Sequence, residues 1–152
     1  MKFLCDEMLG SLAKWLRILG YDTKYIKNIN DKKIIEIAEK EGRIVITRDK
    51  LLAKKSKGIY INEKDIEKQL KKVVKCLNLN IEKEKILTRC TICNIKVVRI
   101  EKEKVKGKVP EYVWNNNENF WICPTCNRIY WIGSHWNKME ETIKKLQVNT
   151  NH

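Results

Sequence analysis

The sequence predicts an α/β protein in which a small three-layer domain with a mainly parallel sheet is followed by a zinc-ribbon module. Strand-like and helical patterns alternate over roughly the first 80 residues, which is typical of a parallel sheet covered by helices. Beyond that point the sequence changes to two Cys-x2-Cys pairs separated by short β-like pieces, which indicates a metal-bound module. We therefore place the two domains at residues 1–86 and 87–147.

Apolar spacing and punctuating residues define the elements of the first domain. Apolar residues three and four apart predict helices that begin near Met8, near Asp31 and at Asn62. Asp31 is expected to cap the second helix, which ends at Gly42, and the third helix should end near Leu77. Between the helices, short β-rich runs predict strands at MKFLC, TKYI, RIVIT and GIYI.

The second domain has less regular patterning. The runs KVVRI at 96–100 and RIYWI at 128–132 predict strands, with a charged loop, EKEKVKGK, and an Asn-rich turn between them. Residues 136–147 predict a closing helix capped by Ser134.

Composition limits the class of protein. The 152 residues include 32 Lys and Arg against 19 Asp and Glu, a formal charge of +13, which favours a polyanionic partner such as nucleic acid. A Lys-rich surface that serves solubility alone is the alternative. No apolar stretch approaches the ~20 residues of a membrane span, and no secretory signal follows the first residues, so we expect a cytoplasmic protein without a membrane partner.

The cysteine pairs are the most specific local signal. Each pair places two thiolates on a tight turn, so four of them can surround one tetrahedral ion: Cys90, Cys93, Cys123 and Cys126. We expect structural Zn²⁺, because four thiolates leave no open position for catalysis. A rubredoxin-like iron centre and unmetallated thiols are the alternatives.

Three acids lie at strand-to-helix junctions of the first domain. Asp6 directly follows the first strand and Asp49 follows RIVIT, so parallel pairing predicts that both reach the same edge of the sheet. Asp31 occupies a third junction. Singly, Asp31 and Asp49 could be helix caps and Asp6 could end a strand. Together, the three carboxylates would repel one another unless a divalent cation offsets their charge.

A resemblance to a known family rests on segments spread over nearly the whole chain: FLCDEMLGSLAKWLRILGYDT, DKKIIEIAEKEGRIVITRD, the paired CxxC motifs and NRIYWIGSHWNKM. These segments resemble the PIN-like ribonuclease domain of the Mut-seven carboxy-terminal family, in which a zinc ribbon follows the nuclease fold. The resemblance implies that Asp6, Asp31 and Asp49 hold catalytic Mg²⁺ or Mn²⁺, which activates water to cut RNA. The expected products carry a 5′-phosphate and a 3′-hydroxyl.

Five basic or ionisable residues are candidate RNA contacts. Lys14 and Arg17 form a basic stripe on the first helix, and Arg48 beside Asp49 could bind a phosphate in a bidentate manner. A solvated helix face and a surface salt bridge are the alternatives. The family resemblance implies that Arg128 and His135 also face the nuclease site or RNA.

Two functions therefore compete at this stage. The first is a metal-dependent endoribonuclease whose zinc ribbon helps to hold RNA, with ribosomal or transfer RNA and the ribosome as candidate partners. The second is a non-catalytic RNA- or ribosome-binding zinc-ribbon protein with the same fold. Charge and zinc ribbon fit both, whereas the three acids favour the enzyme.

Overall fold

The first domain consists of alternating strands and helices. The structure, a computed structural model, describes residues 1–133 and 136–150, with the side chains of residues 148–150 outside that description. After a 3-10 turn at Glu7–Leu9, the chain follows the predicted order of elements. These are β1 (Lys2–Cys5), α1 (Gly10–Ile18), β2 (Asp22–Tyr25), α2 (Asp31–Glu41), β3 (Arg43–Thr47), α3 (Lys50–Ser56), β4 (Ile59–Tyr60) and α4 (Ile66–Leu77).

These four strands form one parallel sheet in the order β2-β1-β3-β4, which confirms the predicted fold class. Side chains alternate along β1, so Phe3 and Cys5 are buried with Leu16 of α1, whereas Leu4 is buried with Ile34 of α2. Helices α1 and α4 therefore cover one face of the sheet, and α2 and α3 cover the other. Each fully buried side chain of this size contributes about 1.5–3 kcal/mol, so the two apolar faces hold the three layers together.

Two helices have N-terminal caps other than the residues predicted. The cap of α2 is Asn30, whose side chain accepts a hydrogen bond from the Lys33 N–H at 2.9 Å, so the prediction that Asp31 caps this helix is wrong. Asp31 is instead the first helical residue. The cap of α4 is Asp65, and the residues from Asn62 to that cap form a loop. Either cap side chain satisfies an N–H of the first turn.

The second domain consists of β5 (Val98–Ile100), α5 (Lys102–Val105), α6 (Glu111–Asn116), β6 (Phe120–Ile122) and β7 (Ile129–Tyr130). Its three strands form an antiparallel sheet in the order β5-β6-β7. Helices α5 and α6 occupy the segment predicted as loop and turn, and β6 was not predicted. The helices form because Val105, Val113 and Phe120 are buried together. Val105, Val109 and Val113 recur every four residues, with Pro110 at the cap of α6, and this spacing could have indicated the helices.

The closing helix, α7 (Trp136–Thr150), packs against α4 of the first domain. Ile143 and Leu146 are buried in the same core as α1 and α4, so the end of the chain returns to the parallel sheet. The predicted cap, Ser134, lies outside the described residues. The division at residue 86 stays a prediction. No helix among the described residues is both long and apolar enough to cross a membrane.

Candidate functional site

A cavity of about 280 Å³ opens at the carboxyl ends of β1 and β3, and Asp6, Asp31 and Asp49 all line it. The parallel register brings the first and third together, because Asp6 follows the end of β1 and Asp49 follows the end of the adjacent β3. Glu7 and Arg48 also line the cavity. The three acids selected from the sequence therefore share one opening, as the strand-end argument predicts.

Asp6 is held firmly in this cavity. Its Oδ1 accepts a hydrogen bond from the Met8 N–H at 3.1 Å, and its Oδ2 accepts one from the Arg48 N–H at 3.2 Å. The hydroxyl of Thr47, a fully buried residue, donates a further short hydrogen bond to Oδ2. These donors come from the 3-10 turn after Asp6 and from the end of β3, so the two segments together orient the Asp6 carboxylate.

Asp49 has the helix-capping role that the sequence left open. Its Oδ1 accepts hydrogen bonds from the N–H groups of Leu51 at 2.8 Å and Leu52 at 3.2 Å. Its backbone N–H donates to the Thr47 hydroxyl at 3.0 Å. No described residue donates to Oδ2 of Asp49. Capping therefore occupies one carboxylate oxygen and does not exclude a second role for the other.

The chemistry of the donor set suits a hard divalent cation, because Asp6, Asp31 and Asp49 present carboxylate oxygens to one cavity. Their separation is less compact than that of the cysteines. Among the described residues, the four cysteines are the one group of three or more potential ligands whose atoms all lie within 4.8 Å. The acids thus share a cavity without reaching that spacing.

The guanidinium group of Arg48 donates hydrogen bonds to backbone oxygens of the protein itself. Its Nη1 donates to the backbone oxygen of Glu63 at 2.8 Å, and its Nη2 donates to that of Asn62 at 3.4 Å. The side chain therefore fastens the loop before α4 to the rim of the cavity. The surface salt bridge considered from the sequence is absent from the part of the chain that the structure describes. A phosphate contact by Arg48 stays a prediction.

The other candidate RNA contacts lie in different surroundings. Lys14 is exposed on α1, whereas Arg17 is half-buried and donates to the backbone oxygens of Thr23 and Thr91, both at 2.8 Å. Of the predicted basic stripe, Lys14 faces solvent and Arg17 binds backbone oxygens of the protein itself, so an RNA contact by either residue stays a prediction. Arg128 is exposed beside the second cysteine pair. The predicted contact His135 lies outside the described residues.

The four cysteines form a compact thiolate group that could hold zinc. The two pairs fold alike, because the residue after each second cysteine, Asn94 or Asn127, adopts a left-handed φ of 61° or 62°. Its N–H donates to the oxygen of the first cysteine of its pair, at 2.9 Å in both turns. Asn tolerates this conformation, so the sequence CxxCN carried a turn signal beyond the cysteine spacing.

Tyr130 joins this group from the neighbouring strand. Its hydroxyl donates to Sγ of Cys90 at 3.0 Å and accepts from the Thr91 N–H at 3.1 Å. Burial raises the pKa of the Cys90 thiol, but the Tyr130 hydroxyl and the Cys93 N–H outweigh it and lower the pKa to about 6. Hydrogen bonds to the sulfur favour the thiolate form, which is the form that binds a metal ion.

Sequence reasoning missed the contacts that join the two domains. The side chain of Asn94 accepts from the Thr23 N–H at 2.9 Å and donates to Oδ1 of Asp22 at 2.6 Å. Arg43 also donates to this Asp22 oxygen, at 2.8 Å. Asp22 and Thr23 begin β2, which runs parallel to β1, so the cysteine turn is fastened at the end of the sheet opposite Asp6.

Comparison with known proteins supports a nuclease-like function. The family model for the Mut7-C RNAse domain matches residues 1–143, a range that includes the three acids and the four cysteines. The exonuclease mut-7 homolog of Homo sapiens is 34% identical over 101 residues, or 61% of this chain. The chain spans only 12% of that relative's length. No solved structure matches the chain.

Proposed function

The chain belongs to the Mut7-C RNAse domain family, and we propose that it is a metal-dependent endoribonuclease acting on single-stranded RNA. The observation that carries the proposal is the single cavity lined by Asp6, Asp31 and Asp49 at the carboxyl ends of the strands. In this proposal, the three carboxylates would hold Mg²⁺ or Mn²⁺. When bound, such an ion would polarise the scissile phosphate and lower the pKa of the attacking water.

The residues around the cavity have separate tasks in this mechanism. Thr47 and the Arg48 N–H fix one oxygen of Asp6, so this carboxylate needs little reorganisation to take a ligand. Asp49 uses Oδ1 to begin α3 and keeps Oδ2 for a ligand. The net charge of +13 attracts RNA towards a site whose own residues are acidic.

A non-catalytic RNA- or ribosome-binding protein is the second candidate. It is favoured by the capping role of Asp49 and by the wider spacing of the acids, since among the described residues only the cysteines form a compact group of potential ligands. In that case, the acids would end strands and begin helices without holding an ion. Activity measurements on matched variants separate the two candidates.

The decisive experiment compares two helix caps. Asp49 caps α3 inside the cavity, whereas Asp65 caps α4 and does not line it. Asn caps a helix about as well as Asp, so both Asp49→Asn and Asp65→Asn should keep their stability. We expect Asp49→Asn to abolish Mg²⁺- or Mn²⁺-dependent cleavage of a labelled RNA and Asp65→Asn to retain it. Wild-type activity in Asp49→Asn would remove the mechanism.

The choice between internal and terminal cleavage needs a second substrate. The human relative is named an exonuclease, but it shares only a small part of its length with this chain. A circular single-stranded RNA has no ends, so an endonuclease linearises it and an exonuclease does not. We expect linear product from wild-type protein and none from Asp49→Asn. An intact circle together with degraded linear RNA would change the proposal to an exonuclease.

A further inference from the structure

The sheet of the second domain has one covered face and one that opens into a groove. On the covered face, Ile100, Phe120 and Ile129 pack with the residues of α5 and α6. On the other face, the strand register places Arg99 of β5 opposite Trp121 of β6. Trp121 is in turn opposite Tyr130 of β7. A cation and two aromatic rings therefore form a row across all three strands.

The groove beside this row has a volume of about 290 Å³. It is mostly apolar, and one acid, Glu84, lines it. The other residues that line it include Leu87, Val97, Trp121, Tyr130, Trp131 and Ile132. The Tyr130 ring cannot turn away, because its hydroxyl is bound to Cys90 and Thr91. The groove thus has a preformed aromatic wall.

Trp121 is the residue of this aromatic wall that is best placed to contact a ligand. Its side chain is half-buried, and its indole N–H has no hydrogen-bond partner among the described residues. The Arg99 guanidinium lies 5.6 Å from the ring centroid of Trp121 and also bonds the Asn119 side chain. Along residues 96–133, seven Lys and Arg stand against four acids. Arg99 therefore places one positive charge beside the Trp121 ring, whereas Glu84 is the one charged residue that lines the groove itself.

We propose that an unpaired base of single-stranded RNA stacks in this groove against Trp121, with Arg99 contacting the adjacent phosphate. The choice of RNA rests on the proposed function, and the row of aromatic and cationic side chains supports a stacked base over an apolar peptide. Every nucleobase has a flat face, so such contacts are tolerant of sequence. The groove is a second RNA contact, separate from the acidic cavity.

The test measures binding of one RNA with and without its bases. Asp49→Asn protein, which should not cut, is titrated with a labelled single-stranded RNA and with the same strand carrying abasic residues. Stacking on an aromatic side chain contributes about 1–3 kcal/mol per base, so Trp121→Leu should weaken binding of the normal strand about 5- to 150-fold. Both proteins should bind the abasic strand equally weakly.

Two further variants separate stacking from folding. Trp121→Phe keeps an aromatic face and should restore much of the affinity. Tyr112→Leu removes an aromatic side chain that is 70% exposed on α6, outside the groove, and should leave affinity unchanged. Zinc content and thermal unfolding of each variant report on folding. If Trp121→Leu does not fold, the proposal is still tested by comparing the normal and abasic strands on Asp49→Asn protein that retains Trp121.

The proposal would be overturned if Asp49→Asn protein bound normal and abasic RNA with equal affinity. It would also be overturned if adding Trp121→Leu to this protein left it folded and did not weaken its binding of the normal strand. The cleavage assay separates this inference from the proposed nuclease activity. Base-dependent binding by a protein that cuts no RNA would retain the stacking site and remove the nuclease. Cleavage of RNA by a protein whose RNA affinity does not depend on Trp121 would retain the nuclease and remove the stacking site.

Discussion

The two ends of the parallel sheet hold their candidate metal ligands in different ways. At the carboxyl ends of the strands, Asp6, Asp31 and Asp49 come from three separate junctions and line one open cavity. At the other end, the start of β2 binds the first cysteine turn, whose sulfurs lie within 4.8 Å of those of the second. Local turns thus bring each cysteine pair together, whereas the acids meet only through the sheet.

This difference has a thermodynamic consequence. An ion bound at the cysteines would add to the stability that the small core of the second domain provides, because its binding energy would also be folding energy. The acidic cavity belongs to a domain that already buries two apolar faces. We therefore expect metal removal to affect folding at the cysteines and chemistry at the acids.

Removing zinc should produce the largest effect. A strong chelator under reducing conditions, or Cys93→Ser, should unfold the segment from residue 87 to the last cysteine while the parallel sheet persists. Hydrogen exchange should show protection lost in β5–β7 and retained in β1 and β3. Cooperative loss of both sheets would contradict the predicted division at residue 86. Mg²⁺ removal should leave all of this protection unchanged.

A matched pair of buried threonines tests how the sheet holds the acids. Thr47 and Thr23 are both fully buried, but the Thr47 hydroxyl donates to Asp6, whereas the Thr23 hydroxyl donates to the Tyr21 oxygen at 3.1 Å. Replacing either by Val keeps the shape and removes the hydroxyl, at a cost of about 1–3 kcal/mol in the free energy of unfolding. Urea denaturation measures this cost.

The two threonine variants should differ in activity. Loss of a group that orients a metal ligand costs about 10- to 100-fold in activity or metal affinity, so Thr47→Val should cut RNA that much more slowly. Thr23→Val lies at the other end of the sheet and should cleave at the wild-type rate. Equal rates for Thr47→Val and Thr23→Val would show that Asp6 needs no such positioning.

The two asparagines of the cysteine turns measure how strongly the domains are joined. Asn94 and Asn127 share a left-handed backbone, but Asn94 also bonds Thr23 and Asp22. Gly accepts this backbone, so Asn→Gly tests mainly the side chain. We expect Asn94→Gly to destabilise the protein by about 1–2 kcal/mol more than Asn127→Gly, measured by thermal unfolding of zinc-bound protein. Equal losses would show that the Asn94 contacts add nothing.

The sequence allowed prediction of those features that depend on neighbouring residues or on regular repetition. The strands and the parallel sheet follow from apolar spacing, and the cysteine group follows from CxxC. Asn30 and Asp31 are both good caps, so spacing could not choose between them. The bond from Arg17 to the distant Thr91 could not be predicted, because an exposed cation and one bound to a distant backbone oxygen have the same local sequence. β6 has only three residues, FWI, which give too little alternation to indicate a strand.

The smallest predicted effect is a loss of stability at low pH, which arises at the end of the sheet where the first cysteine turn docks. Hydrogen bonds from Lys24 and Arg43 lower the pKa of Glu41 to about 2. Because the folded-state pKa lies below the unfolded value, the contribution of Glu41 to stability is present at neutral pH. It disappears as the pH falls from about 4.5 towards about 2. Arg43 also pairs with Asp22, so this network extends to the side chain that Asn94 contacts.

Glu41→Gln isolates this effect from the acid release of zinc, which affects both proteins alike. At pH 7 the variant should be slightly less stable than wild type, because an amide keeps hydrogen bonding and loses the charge. The difference should shrink as the pH is lowered to about 3, since Glu41 is then protonated in the unfolded chain and still mostly ionised in the folded protein. Urea midpoints at several pH values measure it, and α2 with its Asn30 cap should be unaffected. A difference that grows in acid would show that Glu41 is not stabilised by its cationic neighbours, and a constant difference would assign the loss to packing rather than charge.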